Sequence, residues 1–328
     1  MSLAPPIFIV GCIRSGTTIL HDVLTRYLPR SIDIDDVDFE CRTFWHQRGI
    51  EIGSPMTGTR CPCADAASVG PERAAEIRDY FERRAGRGRH IVNKNPHLSN
   101  KIGLLLDLFP QARIVHIVRD IHAVVASTKL RFEAAMRREN YAGVPFVSYW
   151  PDEPRLPCWW TIPARRGVAK PTLKDRMRRW LRGAAAPPRP RHDDPDEFRR
   201  RFSDRSRYYP GEGFARIPES WLRINAGVVQ QIEDTGMQSR YLPIRYAELV
   251  ENTPQTLARI ARFGEIEAVA PDSAPPALDA SRGEKWRSDL TASEQRCVIG
   301  CCERFAAEAA RIEAAIGPSL MPREALPT

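Results

Sequence analysis

The segment Pro5-Pro6-Ile7-Phe8-Ile9-Val10-Gly11-Cys12-Ile13-Arg14-Ser15-Gly16-Thr17-Thr18 constrains this chain more than any other. An apolar run, Ile7 to Val10, breaks at Gly11; a short loop follows, and from Thr17 an apolar helix pattern begins. Strand, loop and helix N-terminus in that order make a phosphate cradle. The first amides of a helix have no partner within it, and the loop's glycines let backbone close on an anion. The usual nucleotide-hydrolysing form is G-x-x-x-x-G-K-[ST], whose Lys reaches the β- and γ-phosphates. Here Thr17 stands where that Lys would be, and the cation is Arg14, inside the loop. The loop therefore suits a phosphate, but not the end of a triphosphate.

Strand and helix signals alternate through the first half. A helix is expected from Pro71 to Arg84, with Pro at its start, and an apolar strand at His90-Ile91-Val92-Asn93. Apolar residues at helical spacing run from Ser99 to Phe109 and stop at Pro110. Arg113 to Val118 reads as a strand, and a helix runs from about Ile121 through Met136. This alternation predicts an α/β fold: a central parallel sheet flanked by helices in three layers, of P-loop type, with its ligands at the carboxyl ends of the strands. Arg14 to Thr18, Lys94, Arg119 and Ser127 all fall just after strands. Further on, a helix is expected from Pro218 to about Asp234, a strand at Tyr241–Tyr246, short helices to Phe263, and a last helix opened by a Thr291/Glu294 capping box.

Between these halves, from about 137 to 217, periodicity fails. The stretch is rich in Pro and Arg and holds four of the seven tryptophans, Trp150, Trp159, Trp160 and Trp180. From Arg137 to Arg216 there are 19 Arg/Lys against 10 Asp/Glu, a local +9 in a chain of net +8. So many aromatics do not suit a disordered linker. The stretch reads as a basic, largely irregular insertion in a single domain spanning 1–328, forming a lid or acceptor wall. With Arg outnumbering Lys 43 to 6, its charge fits codon bias as well as an anionic ligand.

No apolar run approaches the length of a membrane span, and the apolar Ile7–Cys12 lacks the basic flank of a signal peptide. A cytoplasmic protein with reduced cysteines is expected. Neither Cys61-Pro62-Cys63 nor Cys297…Cys301-Cys302 has zinc-site spacing, so no metal site is expected.

Ile13-Arg14-Ser15-Gly16-Thr17-Thr18 resembles the 5′-phosphosulfate loop, P-[KR]-S-G-T-T, of sulfotransferases that use 3′-phosphoadenosine 5′-phosphosulfate (PAPS), with Ile13 replacing the frequent Pro. Val118-Arg119-Asp120-Ile121-His122-Ala123-Val124-Val125-Ala126-Ser127 resembles the family's 3′-phosphate motif, V-R-[DN]-P-R-[DE]-x-x-x-S, with Ile121 and His122 in place of Pro-Arg. Asn93-Lys94-Asn95-Pro96 with Leu108-Phe109-Pro110 is similar to the N-K-[DT]-P…L-F-P run of bacterial and tyrosylprotein sulfotransferases. Arg245-Tyr246-Ala247-Glu248-Leu249 resembles R-Y-E-x-L, and Arg282-Gly283…Lys285-Trp286 the segment that closes over the 3′-phosphate. The resemblance covers about 1–136 and 218–300.

What the resemblance implies is sulfuryl transfer from PAPS to a hydroxyl of a small-molecule or carbohydrate acceptor, anionic or aromatic, leaving adenosine 3′,5′-bisphosphate. The cofactor would be held by Arg14, Ser15, Gly16, Thr17, Thr18, Arg119, Ser127, Arg282 and Gly283. Arg14 and Lys94 would neutralise developing charge, and Glu40 would be the base; His97 and His46 remain open for that role, with His116 a third histidine near site positions. No metal is required, and neither nucleic acid nor membrane is expected as a partner. Two other readings compete: an ATP-dependent small-molecule kinase, disfavoured by the missing Lys, and a non-catalytic nucleotide- or nucleic-acid-binding protein built on the basic insertion.

Overall fold

A computed structural model describes residues 4–28, 31–33, 69–86, 88–136, 212–266 and 283–318, with isolated positions between them. Five strands form one sheet: β1 (Ile7–Val10), β2 (Ser31–Asp33), β3 (His90–Lys94), β4 (Arg113–Val118) and β5 (Tyr241–Arg245). Their order is β2-β3-β1-β4-β5, and all pairs are parallel. β1 is thus central. Ile7 lies opposite Val92 on one side and Arg113 on the other.

A strand buried on both faces must be apolar at every position, and β1 is: all four residues are fully buried. Its alternation sorts them. Ile7 and Ile9 join Leu20, Val23 and Leu24 of α1 (Thr17–Tyr27) on one face. Leu249 of α6 (Tyr246–Glu251) and Leu257 and Ile260 of α7 (Thr253–Gly264) complete that layer. Phe8 and Val10 point the other way, toward α2 (Pro71–Ala85), α3 (Ile102–Leu108) and α5 (Arg216–Thr235). There Phe8, Phe44, Trp45, Phe81 and Phe109 form an aromatic cluster, with Phe81 and Phe109 4.3 Å apart between ring centres. A third apolar cluster joins α4 (Ile121–Met136) and α5 to α9 (Ala292–Arg304) and α10 (Ala306–Ile316).

Most expected elements are present within a few residues. Three differ. β2, the sheet's edge, is only three residues long and too short to show a period. Ser99 to Phe109 divides into a 3-10 turn, Pro96–Asn100, and the shorter α3. The last helix is two, broken at Phe305 after α9; the Thr291/Glu294 capping box at its start is present. The insertion falls outside the described residues from 137 to 211; at its end, Glu212–Ala215 is a 3-10 turn leading into α5. No helix among the described residues is long and apolar enough to cross a membrane.

Strand order places the site. The chain moves to one side of β1 to lay down β2 and β3, then crosses to the other side for β4. At such a switch point the loops leaving the neighbouring strands diverge and open a crevice. The loop after β1 carries Arg14 and the step after β4 carries Arg119.

Candidate functional site

The loop after β1 is fixed from below. The Gly11 amide donates to Ser99 Oγ at 3.0 Å, and Ser99 Oγ lies 3.3 Å from Gly11 O. Gly11 has φ +141°, and a Cβ there would meet Ile117 O at 2.4 Å, so only glycine fits beside β4. Arg14 takes a left-handed conformation, φ +63°, uncommon for a residue with a side chain and typical of sites where the surroundings over-determine the backbone. Gly16 caps α1 in the same region of φ, +96°, and a Cβ would strike the Tyr246 ring at 2.4 Å. The helix's first internal bond is Leu20 N to Gly16 O, 2.9 Å, so the amides ahead of it face the loop's mouth.

Above this loop the two motifs meet. Arg14 Nε donates to Ser127 Oγ at 3.0 Å. Arg119 Nη1 donates to Arg14 O at 3.3 Å, and its guanidinium lies 4.5 Å from the centre of the Tyr246 ring. Tyr246 thus packs against Gly16 and under Arg119 at once. Asp120 caps α4, accepting from the Ala123 amide at 2.9 Å. Burial lifts its carboxyl to about 6, against the amide bonds and the Arg119 charge that pull it down.

These groups border a cavity of about 380 Å³, within the range of small-ligand sites. Its polar wall is Arg14, Gly16, Thr17, Thr18, Arg119 and Ser127. The other wall is largely apolar: Ala123, Ala126 and Leu130 from one face of α4, with Tyr246 and Trp286. Lys285 and Asp289 stand at its edge on and beside α8 (Trp286–Asp289). Trp286 is backed by His122, whose ring stacks on it at 4.4 Å and 20°. Burial and the Arg287 charge hold that imidazole down at about 4, hence neutral. Lys129 ties the same region to the C-terminal helices, donating to Asp289 O at 3.0 Å and Glu294 Oε2 at 2.7 Å.

The structure therefore brings together six of the residues singled out from the sequence. Ser15 is fully buried below the wall, and its Oγ has no hydrogen-bond partner. Lys94 ends β3 on the next strand, paired with Ile9 in register and 1% exposed, and is not on the cavity's wall. Gly283 is described but does not line the cavity; Arg282, Glu40 and His46 lie outside the described residues. His116 is in the core, with Nδ1 2.8 Å from Tyr241 Oη and Nε2 2.9 Å from Asn225 Oδ1, so it has no nitrogen left for an acceptor. The α4 wall was missed. Its signal was present: residues 119, 123, 126, 127 and 130 recur at the three- and four-residue spacing of one helix face. Among the described residues, no group of three or more His, Cys, Asp or Glu is placed to hold a metal.

Comparison with known proteins bears on the same segment. Residues 5–153 match the model of the Sulfotransferase family. The chain is 29% identical over 178 residues to omega-hydroxy-beta-dihydromenaquinone-9 sulfotransferase from Mycobacterium bovis and Mycobacterium tuberculosis. That match covers 38% of this chain and 44% of those proteins, so the chain spans under half the length of the curated relatives. Among solved structures, a sulfotransferase from Alicyclobacillus acidocaldarius overlays with a TM-score of 0.49 at 17% identity, covering 96% of each chain. The sulfotransferase domain of the Synechococcus PCC 7002 olefin synthase overlays with a TM-score of 0.45 at 18% identity, covering 92% of this chain and 94% of the domain. Residues 5–153, the part that matches the Sulfotransferase family model, carry both the loop after β1 and the Arg119–Ser127 motif.

Proposed function

We propose that this protein transfers a sulfuryl group from PAPS to a hydroxyl of a small-molecule acceptor. One observation carries the reading: Arg14 Nε on Ser127 Oγ and Arg119 Nη1 on Arg14 O join two distant motifs into one cationic cradle. Two guanidinium groups on the wall of one cavity favour an anionic ligand there. The cradle has two parts, a helix-start loop and a strand-end arginine with a serine, which suits a nucleotide with phosphates at both 5′ and 3′ positions. The apolar α4 wall and Trp286 suit a base between them. The buried, unpartnered Ser15 Oγ and the glycine-only approach at Gly16 fit a loop that wraps a phosphate.

Bound there, PAPS would supply the activated sulfuryl group and a bisphosphate leaving group. The chain's own residues have the following roles. The α1 amides, Thr17 and Thr18 hold the 5′-phosphate. Arg119 and Ser127 hold the 3′-phosphate, with Arg282 and Gly283 closing over it. Arg14 stabilises negative charge on the transferring group and on the leaving 5′-phosphate, where positioning and electrostatics count for more than covalent help, and Lys94, off the cavity's wall at the end of β3, adds its charge from the neighbouring strand. Glu40 takes the acceptor hydroxyl's proton. The basic 137–217 segment shapes the acceptor side. The Mycobacterium relatives, by name, act on a hydroxylated menaquinone, which favours a hydroxylated small molecule over a protein here.

The test is thermal denaturation with nucleotides. Adenosine 3′,5′-bisphosphate at a hundred times its Kd should stabilise the fold by about 2.7 kcal/mol, and ATP with Mg²⁺ should not. Stabilisation by ATP alone would return the reading to a kinase.

A further inference from the structure

Arg119 is held by more than its own side chain. It occupies the two-residue step between β4 and α4. Its carbonyl oxygen accepts from the Trp221 indole Nε1 at 3.1 Å. Trp221 lies on α5 and is fully buried. Behind the indole a line of polar groups runs back into the sheet. Trp221 O accepts from Asn225 Nδ2 at 2.9 Å; Asn225 Oδ1 lies 2.9 Å from His116 Nε2; His116 Nδ1 lies 2.8 Å from Tyr241 Oη.

The chemistry fixes the direction of every bond. With Asn225 Nδ2 donating to Trp221 O, Oδ1 is the acceptor, so His116 Nε2 carries the proton. His116 Nδ1 then accepts from the Tyr241 hydroxyl. Burial holds this imidazole down at about 4, so it stays neutral across the ordinary pH range. Asn225 and His116 are both fully buried, where a half-satisfied polar line would be costly. None of the four residues lines the cavity. The line meets the site through the indole on the Arg119 carbonyl. The Asp120 carboxylate cannot replace it, because it accepts hydrogen bonds, as it does from Ala123 N, and has no hydrogen to give a carbonyl.

We infer that Trp221, backed by Asn225, His116 and Tyr241, is a positioning residue for Arg119, setting the corner between β4 and α4 so that the guanidinium meets a 3′-phosphate. The inference rests on the nucleotide reading of the cavity. By this account the core of α5 tunes recognition of one phosphate without touching it.

Calorimetric titration of Trp221→Phe tests it, with adenosine 3′,5′-bisphosphate and adenosine 5′-phosphate as the two probes. Phe keeps the aromatic bulk and removes the donor. The variant should lose about five-fold of the preference for the bisphosphate, the scale of one neutral hydrogen bond, while affinity for the monophosphate moves less than about two-fold. In an Arg119→Ala background, Trp221→Phe should add nothing to the loss of preference. Equal losses for both nucleotides, or none, overturn the positioning role and leave the nucleotide reading intact. A wild-type protein that does not distinguish the two nucleotides overturns that reading, and the inference with it. If Trp221→Phe does not fold, Tyr241→Phe is read by the same ratio, and an unchanged ratio there overturns the assignment.

Discussion

Arg119 has its charge, its backbone and its neighbours each committed to separate partners: the Arg14 carbonyl, the Trp221 indole and the Tyr246 face. Arg119→Ala should weaken binding of adenosine 3′,5′-bisphosphate by about 1–3 kcal/mol, the range for a lost charged hydrogen bond, as measured by calorimetry. Unchanged affinity would remove it from the site. Glu40→Gln should lower turnover while nucleotide affinity stays at the wild-type value; normal turnover would move the base role to another residue. Asp120 gives a pH prediction. Its carboxyl is lifted to about 6 in the fold, above its unfolded value near 4. Between those values the folded state keeps a proton that the unfolded chain has released, so stability falls as pH rises through the window and levels off above it. Asp120→Asn, which keeps a capping oxygen, should remove that slope from denaturation curves taken between pH 4 and 7. A slope unchanged in the variant would assign it to other groups.

Elements show why some of this was legible and some not. β4 and α4 were read with their observed ends because an uninterrupted apolar strand and a long helix pattern are strong signals. β2 was not, since Ser31-Ile32-Asp33 offers one alternation, and its pairing with His90–Val92 is what makes it a strand. The last helix divides at Phe305, a residue with no local breaking signal, buried against α5 and its neighbours; packing rather than propensity ends α9 there. Its start, by contrast, is written locally: Thr291 accepts from the Glu294 amide and Glu294 returns a bond to the Thr291 amide at 2.8 Å. Thr291→Ala should cost about 1 kcal/mol, a typical cap loss, seen as a lower urea midpoint with an unchanged slope. The R-Y-x-E-L stretch is explained at this scale as well. Glu248 of α6 accepts from Arg245 Nε at 2.6 Å and Arg259 Nη1 at 2.9 Å, while Arg259 also donates to Pro243 O. That network joins α6 and α7 to β5 and holds Tyr246 against the loop.

For the whole molecule, the order β2-β3-β1-β4-β5 puts the loop after β1 next to the corner after β4. Replacing residues 140–208 by a Gly/Ser linker should leave bisphosphate affinity within about three-fold, less than one charged hydrogen bond, and should abolish turnover of the acceptor. Loss of both would make the insertion part of the nucleotide site. By itself the sequence determined the glycine loop after β1, its missing Lys, the placing of Arg119 and Ser127 just after a strand and the parallel α/β class, because each is written in short-range chemistry: glycine at a turn, apolar period, charge at a strand end. The tertiary structure alone decided that Arg14 touches Ser127, that Tyr246 fills the space a Cβ at Gly16 would need, and that His116 serves the core rather than the acceptor. Those outcomes depend on strand order and on the facing side of α5. No local pattern encodes either, since each arises only when several buried surfaces are packed together at once.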